Sequence, residues 1–469
     1  MQNKQVEFPG DIYLMGIAGV GMGNLAGMLK SRGVNVRGSD KQLYPPMKEY
    51  LEGLKIDTKI GFSPENLLPA PDIIIVGNVI SRDNPEVQEM RRRGIPFLSM
   101  AEAIRRFFLM EREVVVVAGT HGKTTSTAML GWLLASAGRD PSVFLGGVSR
   151  NFNSGFRLGK GKYFVIEGDE YDTAFFDKGP KFLHYNPENL LLTTVEFDHG
   201  DIYESLDDVK NAFKKLIEIL PNNGYIAYGG YSPVAVELLK DCRISSEGFG
   251  DNGLWQADDI KIENSSAEFT VLKDKKIFGR FRWKLIGNHN ITNCLGAIAI
   301  ADRIGLSVKE IAAGIESFRG VKRRQEIAGE YRGILLIDDF AHHPTEVRET
   351  ISAVKLFYPE RRLWAVFEPR SNTSRRNYFQ KDYPSSFKKA DITVISGIYN
   401  PDALANGIRL NPQKIVKDLC SEAKDAFYKE SVNEIVDLIA DNALKGDIVL
   451  IMSNGSFGDI VNKLKNALG

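Results

Sequence analysis

The apolar run Val114-Val115-Val116-Val117-Ala118 ends in Gly119-Thr120-His121-Gly122-Lys123-Thr124-Thr125. A helical apolar pattern follows through Ala128, Met129, Leu130, Trp132, Leu133 and Leu134. Strand, glycine-bracketed loop, Lys-Thr and helix is the layout that cradles a nucleoside triphosphate. Backbone N–H groups and the helix N-terminus face the phosphates, the lysine neutralises the terminal ones, and a threonine hydroxyl holds Mg²⁺. The spacing Gly119-x-x-Gly122-Lys123 is shorter than the common G-x-x-x-x-G-K. The flanking strand and helix nevertheless supply the context that a phosphate loop requires and an accidental glycine turn lacks. Chemistry on ATP is the starting expectation.

At 469 residues the chain is too long for one ordinary core. Apolar content of 43% with 26% charged residues reads as a folded protein in water, and zero net charge lacks the footprint of a nucleic-acid binder. No apolar run approaches a membrane span, and Met1 to Asp11 is polar, without the apolar stretch of a signal peptide. Cys242, Cys294 and Cys420 have no metal spacing and read as reduced thiols. A cytoplasmic protein with no nucleic-acid or membrane partner is expected; the oligomeric state stays open.

Strands are expected at 11–16, 34–37 and 72–76, then near 114–118, 163–166 and 190–195, and later near 334–338, 363–367, 391–396 and 447–452. Helical patterns run from Asn24 to Ser31 and from Asn290 to Ile304, with a more antiparallel stretch from Ala267 to Leu285. Strands alternating with helices mean parallel sheets. The charged stretch Arg105 to Glu113 and the basic run Arg319 to Arg324 break the pattern. The expected fold is therefore α/β with three domains, 1–109, 110–320 and 321–469: Rossmann-like at both ends and P-loop ATPase-like in the middle. Ligands of open α/β sheets sit at the carboxyl ends of strands, so residues just after strands carry most weight.

Four constellations occupy such places. Gly16-Ile17-Ala18-Gly19-Val20-Gly21, with Ser39-Asp40 after the second strand, suits a pyrophosphate and a ribose hydroxyl. Its order differs from G-x-G-x-x-G, with Asn24 where a third glycine would stand; a nucleotide-diphosphate ligand, a nicotinamide cofactor and a tight packing turn are the readings. Glu167-Gly168-Asp169-Glu170 and Glu196-Phe197-Asp198-His199 follow two strands and suit Mg²⁺, with Mn²⁺ able to substitute, or form solvated acidic loops. In Gly287-x-His289-Asn290-x-x-Asn293 the two amides share a helix face, suiting an adenine edge or a helix cap. Asp338-Asp339-Phe340-Ala341-His342-His343-Pro344 follows a strand shortly after Arg323 and Arg324, which suit a transferring phosphoryl group. The two adjacent histidines do not face one way and are not expected to share an ion. Five of six histidines fall in these motifs; His184 reads as structural.

In order and spacing these motifs resemble the Mur ligase family, the ATP-dependent amide-forming enzymes of peptidoglycan assembly, over essentially the whole chain. The nearest pattern is the branch acting on UDP-N-acetylmuramate. Gly77 to Arg82 with Asn84-Pro85, Tyr171 to Lys178 and Phe367 to Thr373 are similar to its tripeptide-accepting members rather than its L-alanine-accepting ones. The resemblance implies that Gly119, Thr120, His121, Gly122, Lys123, Thr124, Thr125, Asn290, Asn293, Arg324 and Asp339 bind ATP, with Asn293 on adenine and Asp339 on the ribose. Thr124, Glu167 and His199 would hold metal, and Lys123, Glu167, His199 and Arg324 would be catalytic. Gly16, Gly19, Val20, Gly21, Ser39, Asp40 and Ser81 would line a UDP-sugar site; Phe340, His342, Arg370, Asn372 and Arg375 would meet the amine substrate, a muropeptide. The carbamylated lysine of several members matches Phe213 here, with Lys214 beside it, so no carbamate is expected, and no NAD.

The L-alanine branch carries Pro-His-Arg-x-Thr-Arg near Pro369. Here Ser371 and Ser374 replace its arginines, leaving Arg370, Arg375 and Arg376 for anionic groups further out. The implied activity is ligation of UDP-N-acetylmuramate to the L-Ala-γ-D-Glu-meso-diaminopimelate tripeptide through an acyl phosphate, in peptidoglycan recycling. L-alanine ligation is the alternative, and a nucleotide-gated binding protein with ATPase activity alone is the rival of another class.

Overall fold

A computed structural model describes residues 7–43, 47–263, 266–284 and 287–469. Most of the polar stretch Met1 to Asp11, and Leu285 at the end of the expected antiparallel stretch, lie outside the described residues.

Three sheets follow one another along the chain. The first is all parallel, in spatial order Asp57–Ile60, Asn35–Asp40, Asp11–Met15, Ile73–Val76 and Phe97–Ser99. Its order reverses beside Asp11–Met15, which places the crevice for a ligand just after Met15. The helix Val20–Lys30 starts there, four residues before the expected Asn24. Gly19 and Gly21 read as turn residues, yet Gly21 already stands in the helix's first turn.

The central sheet has ten strands. Six form a parallel core: Ser245–Phe249, Tyr225–Gly229, Asn189–Leu192, Glu113–Ala118, Tyr163–Gly168 and Ser142–Ser149. An antiparallel ribbon, Trp255–Glu263, Ser266–Lys273 and Lys276–Trp283, extends one edge, and Ser154–Arg157 closes the other. The central strands are apolar on both faces because helices cover both. Val115, Val117 and Leu191 pack with Met129 and Leu133 of the helix Lys123–Ser136 and with Leu295 and Ile298 of the helix Asn288–Ile304. Val116 and Leu192 pack on the opposite side with Phe213 of the helix Leu206–Glu218. The strand expected to reach residue 195 ends at Leu192, for reasons given below.

The third sheet runs Glu326–Tyr331, Ile334–Asp339, Ile448–Met452, Leu363–Phe367, Ile392–Ser396 and Asp425–Lys429, parallel except at its first edge. The domains are tied by specific contacts. Asn24 donates to the Leu145 carbonyl, 3.1 Å. The hairpin Asp172–Ala174 with Asp177–Pro180 carries Phe176 onto Phe97, rings 5.0 Å apart, and Phe175 under Arg91. The segment Tyr171 to Lys178 therefore clasps the first domain to the central one. His184 closes that hairpin on Asp177, 2.7 Å.

Candidate active site

The carboxyl ends of all three sheets face one cavity of about 1110 Å³. Gly16, Gly19, Val20 and Gly21 line it from the first domain; Thr120, Gly122, Lys123, Thr124, Glu167 and His199 from the second; Phe340, His342, Arg370, Asn372 and Arg375 from the third. A second cavity of about 690 Å³ adjoins it, lined by His121, Gly122, Thr125, Asn290, Asn293, Arg324 and Asp339. Gly122, Arg324 and Glu346 line both, so the two are one connected site.

The phosphate loop is held by the neighbouring strand's continuation. Thr193 Oγ1 donates to the His121 carbonyl, 2.5 Å; Thr120 N–H donates to the Thr194 carbonyl, 2.7 Å; His121 N–H donates to Thr194 Oγ1, 3.1 Å. Thr193 N–H still reaches the Ala118 carbonyl, 2.9 Å, but the Thr194 carbonyl and hydroxyl are given to the loop, and the strand stops at Leu192. Nothing in the linear order of residues marks them as loop supports, because the partners lie over 70 positions apart. Gly119 is buried behind the loop rather than on the cavity wall. Gly122 has φ +79°, and a Cβ there would lie 2.5 Å from Asn293 Oδ1. Only glycine lets the loop pass that amide.

Lys123 Nζ folds back onto the Gly119 carbonyl, 2.7 Å, and Glu170, 3.0 Å. Burial alone would lower its pKa, but Glu170, Asp169 and Glu167 outweigh that and hold it charged. Glu170 is 2% exposed and also meets His199 Nε2 at 3.4 Å. Burial would lower His199 as well; its contact with Glu170 raises it to about 9. Glu170 is thus the shared anchor of the lysine and the histidine, a role its place in Glu-x-Asp-Glu did not single out.

Thr124 Oγ1 donates to Glu167 Oε1, 2.8 Å, and Gly146 N–H donates to Glu167 Oε2, 2.7 Å. Burial, then the charge of Asp169, push the Glu167 carboxyl up. Asp169 is paired with Lys181, 3.1 Å, whereas among the described residues Glu167 has only the Thr124 hydroxyl and the Gly146 N–H as hydrogen-bond partners beside the phosphate loop. A carboxylate and a threonine hydroxyl are hard oxygen donors, which fits Mg²⁺ beside a phosphate. His199 turns Nε2 to Glu170, which leaves Nδ1 as the nitrogen that would ligate once the ring gives up a proton. The described groups that come within 4.8 Å of one another as a metal-type trio are instead His121, Glu196 and His343. There His343 Nδ1 accepts from Thr345 N–H, 3.2 Å, and Nε2 donates to the Phe197 carbonyl, 3.3 Å, so its ring has no free lone pair for an ion. His342 points elsewhere, to Glu346 at 3.2 Å; the adjacent histidines diverge, as their spacing requires. His121 lies 3.5 Å from Glu196 and 3.4 Å from Glu346, and these contacts raise it to about 9 against the lowering effect of burial. Its side chain links the phosphate loop to the third domain.

In the smaller cavity Asn290 and Asn293 are both buried on one helix face, and Asn290 donates to Gln325 Oε1, 3.1 Å. The helix starts after Gly287 with no side-chain cap, which removes the capping reading of these amides. Asp339 accepts from the N–H groups of Gln325 and Ala341, each 2.7 Å; burial raises it to about 6, with Arg324 opposing. The Arg324 guanidinium lies 5.0 Å from the Phe340 ring centre and 3.7 Å from Glu346, at the junction of both cavities.

Three residues assigned to the UDP-sugar site do not line the cavity. Ser39 is fully buried, and its hydroxyl donates to Glu86, 2.6 Å, while its carbonyl accepts from Gly16 and Ile17. Asp40 accepts from Ala18 N–H, 2.9 Å. Both shape the Gly16–Gly21 loop from behind. Ser81 is exposed outside the cavity, whose wall there is Gly77, Asn78 and Val79.

On the amine side the two serines build the turn. Ser374 N–H donates to Ser371 Oγ, 2.9 Å, and Arg370 N–H to Ser374 Oγ, 3.1 Å. Arg370 lies over the Tyr399 ring at 3.8 Å, facing the cavity. Arg375 donates to Asn372 Oδ1, 2.8 Å. Arg376, expected to meet a substrate anion, is instead turned away to the Gly200 carbonyl, 2.9 Å. Phe213, at the position of the carbamylated lysine, is fully buried against Phe182, and Lys214 is exposed on the outer face of its helix.

Three α/β domains whose strand ends meet over a short phosphate loop define an ATP-using ligase. Family models match in series: the Mur ligase family catalytic domain over residues 11–112, the Mur ligase middle domain over 117–301, and the Mur ligase glutamate ligase domain over 323–455. The chain belongs to the Mur ligase family, enzymes that form amide bonds with ATP. It is 37% identical to the UDP-N-acetylmuramate–L-alanyl-γ-D-glutamyl-meso-2,6-diaminoheptandioate ligase of Escherichia coli K12, over 97% of this chain and 98% of that one. Among solved structures it is similar to a murein peptide ligase from Psychrobacter arcticus 273-4, with 34% identity, TM-score 0.74 and 98% of each chain covered. It is also similar to the UDP-N-acetylmuramate–alanine ligase of Thermotoga maritima, with 25% identity, TM-score 0.81, and 97% and 98% covered. No helix among the described residues is long and apolar enough to cross a membrane.

Proposed function

We propose that this enzyme joins the carboxylate of UDP-N-acetylmuramate to the amine of L-Ala-γ-D-Glu-meso-diaminopimelate, in peptidoglycan recycling in the cytoplasm. The observation that carries the choice of acceptor is the turn after Phe367. Ser371 and Ser374 tie up their hydroxyls within the turn, while Arg370 and Arg375 line the cavity. A small amino acid finds no paired clamp there; a longer anionic peptide finds two guanidiniums. The similarity to the tripeptide ligase of Escherichia coli supports the same reading.

A carboxylate is a poor electrophile, so phosphate is installed as leaving group. A carboxylate oxygen attacks the γ-phosphorus and ADP departs. The amine nitrogen then attacks the acyl carbon, inorganic phosphate departs, and the nitrogen loses its extra proton. Lys123 exchanges Glu170 for the phosphates, and Arg324, at the junction of the two cavities, meets the charge of the transferring group. Thr124, Glu167 and the Nδ1 of His199, oriented by Glu170 on its Nε2, would hold Mg²⁺; bound there, the ion would offset repulsion between the carboxylate and the triphosphate. Adenine would lie on Asn290 and Asn293 and the ribose on Asp339. Gly16, Gly19, Val20 and Gly21 would take the UDP-sugar, with Ser39 and Asp40 fixing their loop. Divisions at 109 and 320 are part of this proposal, supported by the three separate sheets. Closure of the domains excludes water from the acyl phosphate.

Carboxylate-¹⁸O-labelled UDP-N-acetylmuramate, turned over with ATP and tripeptide, tests the chemistry. One label should appear in inorganic phosphate. Unlabelled phosphate alongside amide product would overturn the acyl phosphate route.

A further inference from the structure

The turn that carries His199 is gripped by the third domain. The Gly200 carbonyl accepts from Arg376 Nη1, 2.9 Å, and from the Tyr378 hydroxyl, 2.9 Å. Gly200 N–H donates to Thr373 Oγ1, 3.4 Å, and Asn372 Nδ2 donates to Asp201, 2.8 Å. The Tyr378 ring lies so close to Gly200 that a Cβ there would sit 2.4 Å from it. On the same side Phe197 packs against Tyr378, rings 5.5 Å apart. His199 itself sits in the left-handed region, with φ +53°.

Arg376 and Tyr378 do not line the cavity, whereas Asn372, Thr373 and Arg375 from the same turn do. The pair therefore reaches no substrate directly. Its bonds end on the backbone carbonyl next to His199. We propose that Arg376 and Tyr378 are positioning residues for His199, clasping the Gly200 carbonyl so that the amine-side turn sets the histidine's place opposite Glu170. The inference rests on the role given to His199 above. It makes docking of the third domain a condition for correct placement of a group in the second. An enzyme that activates its carboxylate only when the acceptor's domain is seated avoids exposing the acyl phosphate to water.

The test uses the full-length enzyme with Arg376→Ala, Arg376→Lys and Tyr378→Phe, each alone and combined with His199→Ala. Tyr378→Phe removes only a hydroxyl from a half-exposed ring, so it keeps the test open should Arg376→Ala fold poorly. The first readout needs no substrate or metal. With six histidines in the chain, the His199 ring signal is assigned by its loss in His199→Ala. It should move in Arg376→Ala and Tyr378→Phe, and return toward its original position in Arg376→Lys. The second readout is kinetic. Partners one shell removed from a metal ligand typically change activity by about ten- to a hundredfold, so Arg376→Ala should lower kcat by about that factor with tripeptide KM unmoved. In the His199→Ala background the same change should lower kcat no further. Additive losses, an unmoved His199 signal, or a raised tripeptide KM with intact kcat would overturn the proposal. Wild-type kcat in His199→Ala would instead remove the role of His199, and this inference with it.

Discussion

Lys123 shows how far one residue's role can be read before and after folding. Its place after Gly122 announces phosphate binding, and the structure adds that Glu170 already occupies the ammonium. Lys123→Ala should therefore lower kcat by about a thousandfold or more, because a preorganised charge on the transferring phosphate is lost. UDP-N-acetylmuramate binding by calorimetry should stay near wild type, since Gly16 to Gly21 belong to another sheet; sugar affinity falling in step with kcat would contradict separate sites. Arg370→Ala removes a guanidinium facing the amine side. A hydrogen bond to a charged group contributes about 1.5–3 kcal/mol, so tripeptide KM should rise about ten- to a hundredfold while ATP KM stays near its wild-type value. Equal rises in both would place Arg370 elsewhere. What was legible at this scale was which motif residues face the cavities: Lys123 and Glu167 line the larger one, and Asn293 and Asp339 the smaller. Arg376 and Ser39 were misread because a motif records that a polar group is present, not which way it turns. Each finds a partner in a distant segment, at Gly200 and at the buried Glu86.

Among the elements, strand ends were easier to read than their continuations. The apolar run ending at Ala118 has no alternative to a buried strand. Thr193 and Thr194, by contrast, look like two more strand residues, and only the adjacency of Asn189–Leu192 to Glu113–Ala118 turns them into supports of the loop. The helix at Val20 was placed late for a similar reason: its glycines read as a turn until the packing is known. The loop–helix contact through His121 yields a pH effect. Its pKa stands at about 9 in the folded protein against 6.5 for a free side chain. Stabilisation from this group is therefore complete below about 6.5 and is lost as pH rises through about 9, a difference of about 3 kcal/mol. His199 is shifted the same way by Glu170 and His342 by Glu346, so the three act in the same direction. Urea unfolding of the ligand-free enzyme should show stability falling between about pH 6.5 and about pH 9.5, and His121→Asn should make that fall shallower. A variant whose pH dependence runs parallel to wild type would show that the Glu196–His121–Glu346 bridge does not link the domains.

At the scale of the whole molecule, the parallel strands of three sheets present their carboxyl ends to one connected space, large enough in the proposed reaction to bring a nucleotide sugar, ATP and an amine together. The order of motifs along the chain foretold three sheets and their sequence, because each α/β unit repeats the same local pattern. The contacts between the units, Asn24 on Leu145, Phe176 on Phe97 and Arg376 on Gly200, lay beyond that pattern. Relatives covering nearly the whole chain include both tripeptide and L-alanine ligases, so the choice of acceptor separates the two branches. The decisive measurement is kcat/KM for ADP release with saturating UDP-N-acetylmuramate and ATP, compared between L-Ala-γ-D-Glu-meso-diaminopimelate and free L-alanine. Two guanidiniums facing an anionic peptide, each contributing about 1.5–3 kcal/mol, predict a preference of at least about a hundredfold for the tripeptide, and no ADP release without an amine. Equal or better turnover of L-alanine would contradict the account, as would ADP release that ignores the amine altogether.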